Sequence, residues 1–166
     1  MKSSLFCSVF IIAALLCLPG CVTMKDYQEQ ATARATPILI TEYGQAGEAS
    51  EIGGVSYEVS LYNLSGKTIK YLYLYVTPYN ILGDSVTSAL NGKVRAELML
   101  KGPIEPEDKT SFVWENVWFN RTIACIEPNS IEIRYQDGST DSLDREMLQK
   151  ALFQPSKQEA VLKSCK

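Results

Sequence analysis

Histidine is absent from the 166-residue chain, and with it go the commonest general base and the commonest zinc ligand. Basic residues are neither abundant nor clustered. The 16 lysines and arginines stand against 19 acidic side chains, so there is no electrostatic footprint for nucleic acid. Beyond residue 20 no G-x-S-x-G, S-x-x-K or C-x-x-C occurs, which removes the nucleophile arrangements of the common hydrolases and thiol oxidoreductases. Gly53-Gly54 and Gly66-Lys67 lack the rest of a phosphate-binding loop. A hydrolase built on this chain would have to work with carboxylates alone. Asp137, Ser139, Asp141, Asp144 and Glu146 are closely spaced. A calcium loop starting at Asp137 would however need Gly and Glu where Ser142 and Leu148 stand. A turn leading into a capped helix is the expectation there. No metal, no cofactor and no enzymatic activity are expected.

What is present begins with an export signal. Residues 1–20 carry Lys2, then an apolar run too short for an ordinary spanning helix, then Leu18-Pro19-Gly20-Cys21. This LPGC resembles the lipobox of bacterial lipoproteins. The resemblance implies cleavage before Cys21, a diacylglyceryl thioether on its sulfur and a further acyl chain on its amine. Two or three chains anchor stably where one does not. In lipoproteins of two-membrane bacteria an Asp after the cysteine retains the protein in the inner membrane; Val22 therefore points to the outer one. The expected organisation is a signal peptide at 1–20, the lipidated cysteine and a polar tether at 21–36, a β domain at 37–140 and a C-terminal helical segment at 141–166.

Cysteine is sparse in the mature part. Cys7 and Cys17 leave with the signal and Cys21 takes lipid, so Cys125 and Cys165 remain. In an exported protein they are a candidate disulfide, the alternative being two separate thiols.

The strongest structural signal lies at residues 67–84. Tyr71, Tyr73 and Tyr75 alternate with Leu72, Leu74 and Val76, the period of a strand with two different faces. The leucines and Val76 are expected inward and the tyrosines outward. Pro78 is expected to end regular pairing, and Asn80 with Gly83 to turn the chain. Upstream, residues 38–40 read as a short strand. Val55, Val59 and Leu61 read as the inner face of another, joined to the tyrosine strand by a connection short enough for a hairpin, so the two strands are expected to be neighbours. Downstream, strands are expected around 94–100, 109–116 and 131–135, with residues 102–108 as a rigid turn. From residue 141 the period becomes helical, with Leu143, Met147, Leu148, Ala151 and Leu152 on one stripe, Asp141 or Ser142 as N-cap and Pro155 as the stop. The fold expected is mainly β: an antiparallel immunoglobulin-like β-sandwich with a C-terminal helical appendage.

Lys67-Thr68-Ile69-Lys70-Tyr71, then Tyr79-Asn80 with Gly83-Asp84, then Ile104 and Pro106-Glu107 ahead of Phe112, resemble the small extracytoplasmic bacterial domains of the FxLYD type. Val76-Thr77-Pro78-Tyr79-Asn80 stands where F-x-L-Y-D would. The resemblance runs over residues 53–140 and implies an immunoglobulin-like sandwich without implying a reaction, so function is left to the surface. There, Tyr71, Tyr73 and Tyr75, with Trp114 and Trp118, are the candidate partner or ligand surface, since aromatic rings cover much area at little entropic cost. The competing reading places the tyrosines as half-buried strand residues and one tryptophan in the core. The expected role is a lipid-anchored envelope interaction module that binds another envelope protein. The alternative is a lipoprotein that binds a glycan or peptidoglycan fragment through Tyr and Trp.

Overall fold

The computed structural model describes residues 23–46, 50–153 and 165; Cys21 and Pro155 lie outside the described residues. In chain order the elements are α1 (Met24–Arg34), β1 (Ile38–Gln45), β2 (Gly54–Asn63), β3 (Ile69–Tyr79), β4 (Ala96–Ile104), β5 (Lys109–Phe119), β6 (Cys125–Tyr135), β7 (Thr140–Leu143) and α2 (Arg145–Ala151). Two antiparallel sheets, ordered β1-β2-β5 and β4-β3-β6-β7, face each other as a β-sandwich. Consecutive strands repeatedly change sheet, as in immunoglobulin-like folds.

Alternation builds the core. Val55, Tyr57, Val59 and Leu61 of one sheet meet Leu72, Leu74, Val76, Ile131 and Ile133 of the other, all buried. Tyr71, Tyr73 and Tyr75 stay on the outer face of β3, half-buried. The two open seams of the sandwich are closed differently. Along β1 and β6, α2 inserts Leu148 and Ala151. Leu152 then bridges to Ile40, and the Phe153 amide donates to the Ile40 carbonyl, so the edge of β1 is met at that point. Along β4 and β5 the seam is filled by Trp114, whose Nε1 donates to the Met99 carbonyl at 3.1 Å.

The expected pairing of the 55–62 strand with the tyrosine strand is corrected by the structure: β2 and β3 lie in different sheets. The reason is the fully buried Asn63, which turns the chain across the sandwich instead of back along it. Its Nδ2 donates to the carbonyls of Lys67, Ile104 and Glu105 at 2.8, 2.9 and 3.1 Å. Its Oδ1 accepts from the amide and hydroxyl of Ser65. One side chain thereby ties the end of β2 to the approach to β3 and to the turn between β4 and β5.

Three boundaries also move. Pro78 does not end β3, because pairing with β6 continues through Pro78 and Tyr79; only the β4 side stops, at Val76. The stretch expected as a turn from residue 102 is strand as far as Ile104, with a cis Gly102-Pro103 bond. Pro103, which has no amide to donate, is tolerated there because β4 is an edge strand. At the C-terminal side, β7 extends the sheet to Leu143, and α2 starts at its N-cap Asp144, whose side chain accepts from the Met147 amide. A strand of four residues is too short to leave a period in the sequence.

The 21–36 segment, expected as a tether, contains the 11-residue helix α1. Asp26 accepts from both the amide and the hydroxyl of Thr23, a reciprocal cap that holds the Asp26 carboxyl below its usual range. Tyr27 stacks on Tyr62 at 4.3 Å between centroids and contacts Phe153 at 4.5 Å. Arg34 donates to the Leu152 carbonyl at 2.6 Å. Such distant partners override a weak local pattern.

Asn63→Asp keeps the shape but removes the donor facing three carbonyls, and is expected to lower the unfolding free energy by about 3 kcal/mol in urea denaturation. Cys125 and Cys165 form a disulfide across 40 residues; Cys165→Ser is expected to cost about 4 kcal/mol in the same assay, through the larger entropy of the unfolded chain.

Candidate functional site

The aromatic residues singled out in the sequence separate into two environments. Tyr71, Tyr73 and Tyr75 share the outer face of the four-stranded sheet, flanked by Glu97, Met99 and Lys101 of β4 and by Ser130, Glu132 and Arg134 of β6. The Arg134 guanidinium sits 4.7 Å from the Tyr73 ring centroid, and Glu132 holds it there through a 2.6 Å contact. Tyr71 lies 6.2 Å from Tyr73, tilted by 47°. The Tyr75 hydroxyl is pushed above its ordinary pKa by partial burial, then by Glu97 and Glu132. The face is thus a row of rings with fixed charges beside them, able to stack a planar or sugar surface and to hydrogen-bond its rim.

Trp118 does not belong to this surface. Both tryptophans point inward, Trp118 opposite Val55 and Trp114 opposite Tyr57. The long connection between β3 and β4 covers Trp118, whose Nε1 donates to the Val94 carbonyl, and leaves it 1% exposed. Between the two, residues 115–117 oppose Ser56 alone. This bulge places Asn116 at φ 52° and lays its side chain where a Cβ on Gly54 would stand. Trp114 is half-buried at the seam, 4.8 Å from Phe112, and lines the opening between the sheets, not the tyrosine face.

The acidic residues at 137–146 are each held in a separate contact. Asp137 accepts from Ser139 and pairs with Lys67, which together keep its carboxyl below the usual range. Asp141 accepts from the Tyr135 hydroxyl at 2.7 Å; burial, then this bond, push that phenol upward. Asp144 caps α2 and Glu146 pairs with Lys150. Among the described residues no group of three or more metal-ligating side chains converges. A cleft of about 390 Å³ opens beside Asp141, lined by Thr36, Pro37, Leu64, Ser65, Lys67, Tyr135 and Met147 among others. The Thr36 hydroxyl in its wall is buried without a hydrogen-bond partner.

A third surface escapes the period-based reading altogether. The connections β1–β2, β3–β4 and β5–β6 gather at the end of the sandwich opposite α1. Ile81 and Leu82 are 88% and 81% exposed, Ile52 74% and Leu90 72%. Each sits within a hydrogen-bonded turn: Gly53 to Ser50 around Ile52, Gly83 to Asn80 around Ile81 and Leu82, Gly92 to Ser88 around Leu90. Asn80 Oδ1 also accepts from the amides of Leu82 and Asp84. The signal in the sequence was large aliphatic residues inside turn motifs, where polar ones belong.

No known family model and no curated protein matches the chain. Among solved structures it is similar to Northeast Structural Genomics Consortium target SoR45, with 12% identity and a TM-score of 0.35 over 65% of this chain and 81% of that one. It is also similar to a β-glucosidase from Listeria innocua in complex with isofagomine, with 13% identity and a TM-score of 0.30 over 64% of this chain but only 15% of the glucosidase. Nothing about activity follows from likenesses at these scores.

Trp118→Ala is expected to cost about 4 kcal/mol by emptying the core. Tyr73→Ala combined with Tyr75→Ala is expected to cost less than about 2 kcal/mol in the same denaturation series, since each ring loses only cross-strand contacts on an outer face.

Proposed function

We propose that the chain is a non-enzymatic interaction module of the bacterial cell envelope, anchored through lipid on Cys21 and held at the outer membrane. The observation that carries this reading is the set of exposed aliphatic side chains on three hydrogen-bonded turns at one end of the sandwich. Ile52, Ile81, Leu82 and Leu90 stand at the end of the sandwich far from the helix that leads back towards Cys21. Exposed apolar groups held on hydrogen-bonded turns are costly in water and are the usual material of a protein docking surface. Their distance from α1 leaves them accessible beside an anchored N-terminus. The tyrosine face, with Arg134 laid over Tyr73, favours a second reading in which the same anchored domain holds a glycan or peptidoglycan fragment.

Crosslinking pull-down from intact envelopes, read by mass spectrometry, separates the two. The wild-type lipoprotein is expected to capture one envelope protein in stoichiometric amount, with capture lost in Ile81→Ser combined with Leu82→Ser and reduced in Cys21→Ala. Capture of cell-wall fragments alone, abolished by Tyr73→Ala and indifferent to the loop changes, would establish the second reading in place of the first. Acylation itself is checked on the intact mass of the mature chain, which is expected to carry at least a diacylglyceryl group.

A further inference from the structure

Edge strands are where a sandwich pairs with other chains unless something blocks them. Three of the four edges here are interrupted. β1 is met at Ile40 by Leu152 and Phe153, β7 has only four residues, and β4 carries Pro103, with Trp114 seated on its Met99 carbonyl. β5 is different. Residues 109–114 pair with β2 in unbroken register on one side, Glu115 follows as the first residue of the bulge, and among the described residues no strand or helix lies along the other side. This stretch contains no proline, and the bulge begins only past Trp114. Phe112 and Val113 are 42% and 47% exposed at its middle.

The charges on this edge are self-complementary. In residues 109–115, Lys109 and Glu115 are the only ionisable side chains with a formal charge. Both are exposed and, being of the same parity, lie on one face of the strand. A second copy of β5 laid antiparallel about a two-fold axis at Phe112 sets Lys109 opposite Glu115 of the copy, twice per pair. Ser111 then faces Val113, and Phe112 faces its own counterpart beside the open seam. We infer that β5 is a homodimerisation edge, joining two copies of this chain into one six-stranded sheet ordered β1-β2-β5-β5-β2-β1. This edge is separate from the tyrosine face and the apolar turns, and pairing along it does not depend on what those bind.

The arrangement is compatible with a shared membrane. Tyr27 of α1 packs on Tyr62, which alternates with the buried Leu61 and so lies on the outer face of the three-stranded sheet. A two-fold axis normal to that sheet keeps both copies of α1 on the same side of the dimer. Two anchors on one side can enter one bilayer, and confinement there raises the effective concentration for pairing.

The test uses the full mature chain in detergent, by sedimentation equilibrium, and charge reversal at the two facing positions. Lys109→Glu and Glu115→Lys are each expected to raise the dimer dissociation constant about tenfold, because both facing pairs become like-charged. The double variant restores opposite charges in both pairs and is expected to return close to wild type. Melting of each variant excludes unfolding as the cause. In intact envelopes, Phe112→Cys is expected to give an oxidative crosslink of twice the monomer mass, and Glu58→Cys on the central strand none. A wild-type chain that stays monomeric and yields no Phe112→Cys product overturns the inference. So does a double variant as weak as the single ones, or a Phe112→Cys product that contains a different protein.

Discussion

The architecture depends on one buried amide. Asn63 lies where β2 must leave its sheet, and its Nδ2 serves three carbonyls that belong to the crossover and to the β4–β5 turn. Around it the backbone is paired as tightly: the Asn63 amide donates to the Asp108 carbonyl, its own carbonyl accepts from Glu107, and Leu64 donates to Pro37 at the entrance to β1. A buried polar network of this kind is favourable only when every member is satisfied. Here it is satisfied by groups from β2, from the β3 approach and from the β4–β5 turn, so all must be in place together. The two sheets can then share Leu61, Leu72, Ile131 and their neighbours as a common core.

Once the sheets are stacked, the sandwich has two seams, and their unequal closure sets what the molecule can do. On one side α2 supplies Leu148 and Ala151, Leu152 meets β1 at Ile40, and the Cys125–Cys165 disulfide ties Cys165 to the start of β6. That side is finished. On the other side a single indole, Trp114, reaches across to β4. It seals the core from water without covering the outer edge of β5. α2 and Leu152 thus close one seam, while the outer edge of β5 lies at the other.

How much of this could be read from the residues depends on the range of the interaction. The faces of β2 and β3 were legible because alternation is local: Leu72, Leu74 and Val76 inward, Tyr71, Tyr73 and Tyr75 outward, as the structure places them. The partner of β2 was not legible. A short connection is compatible with a hairpin or a crossover, and the choice rests on carbonyls more than 40 residues away in sequence that Asn63 satisfies. The helix at Met24–Arg34 was hidden for the same reason, since its anchor is a stacking contact between Tyr27 and Tyr62. Trp118 and Trp114 share a period, but only the fold shows that one is roofed by the β3–β4 connection and the other stands at an opening. The apolar turns carry no strand or helix period; Ile81 and Leu82 between Asn80 and Gly83 stand out only as aliphatic residues where a turn calls for polar ones.

These surfaces do not compete for space. The tyrosine row lies on the outer face of one sheet, the docking helix α1 rests on the other sheet, and the apolar turns occupy the end of the sandwich. In the proposed β5 pairing the two copies run antiparallel, so their apolar turns emerge at opposite ends of one assembly. Both copies of α1 stay together on one side and both tyrosine rows face the other. A partner with two matching sites could then bind with avidity set by that fixed separation instead of by a flexible linker. The membrane would add the remaining constraint by holding both anchors in one plane. In the proposed pairing, β5 would set the spacing of the two sets of apolar turns without touching any of their residues.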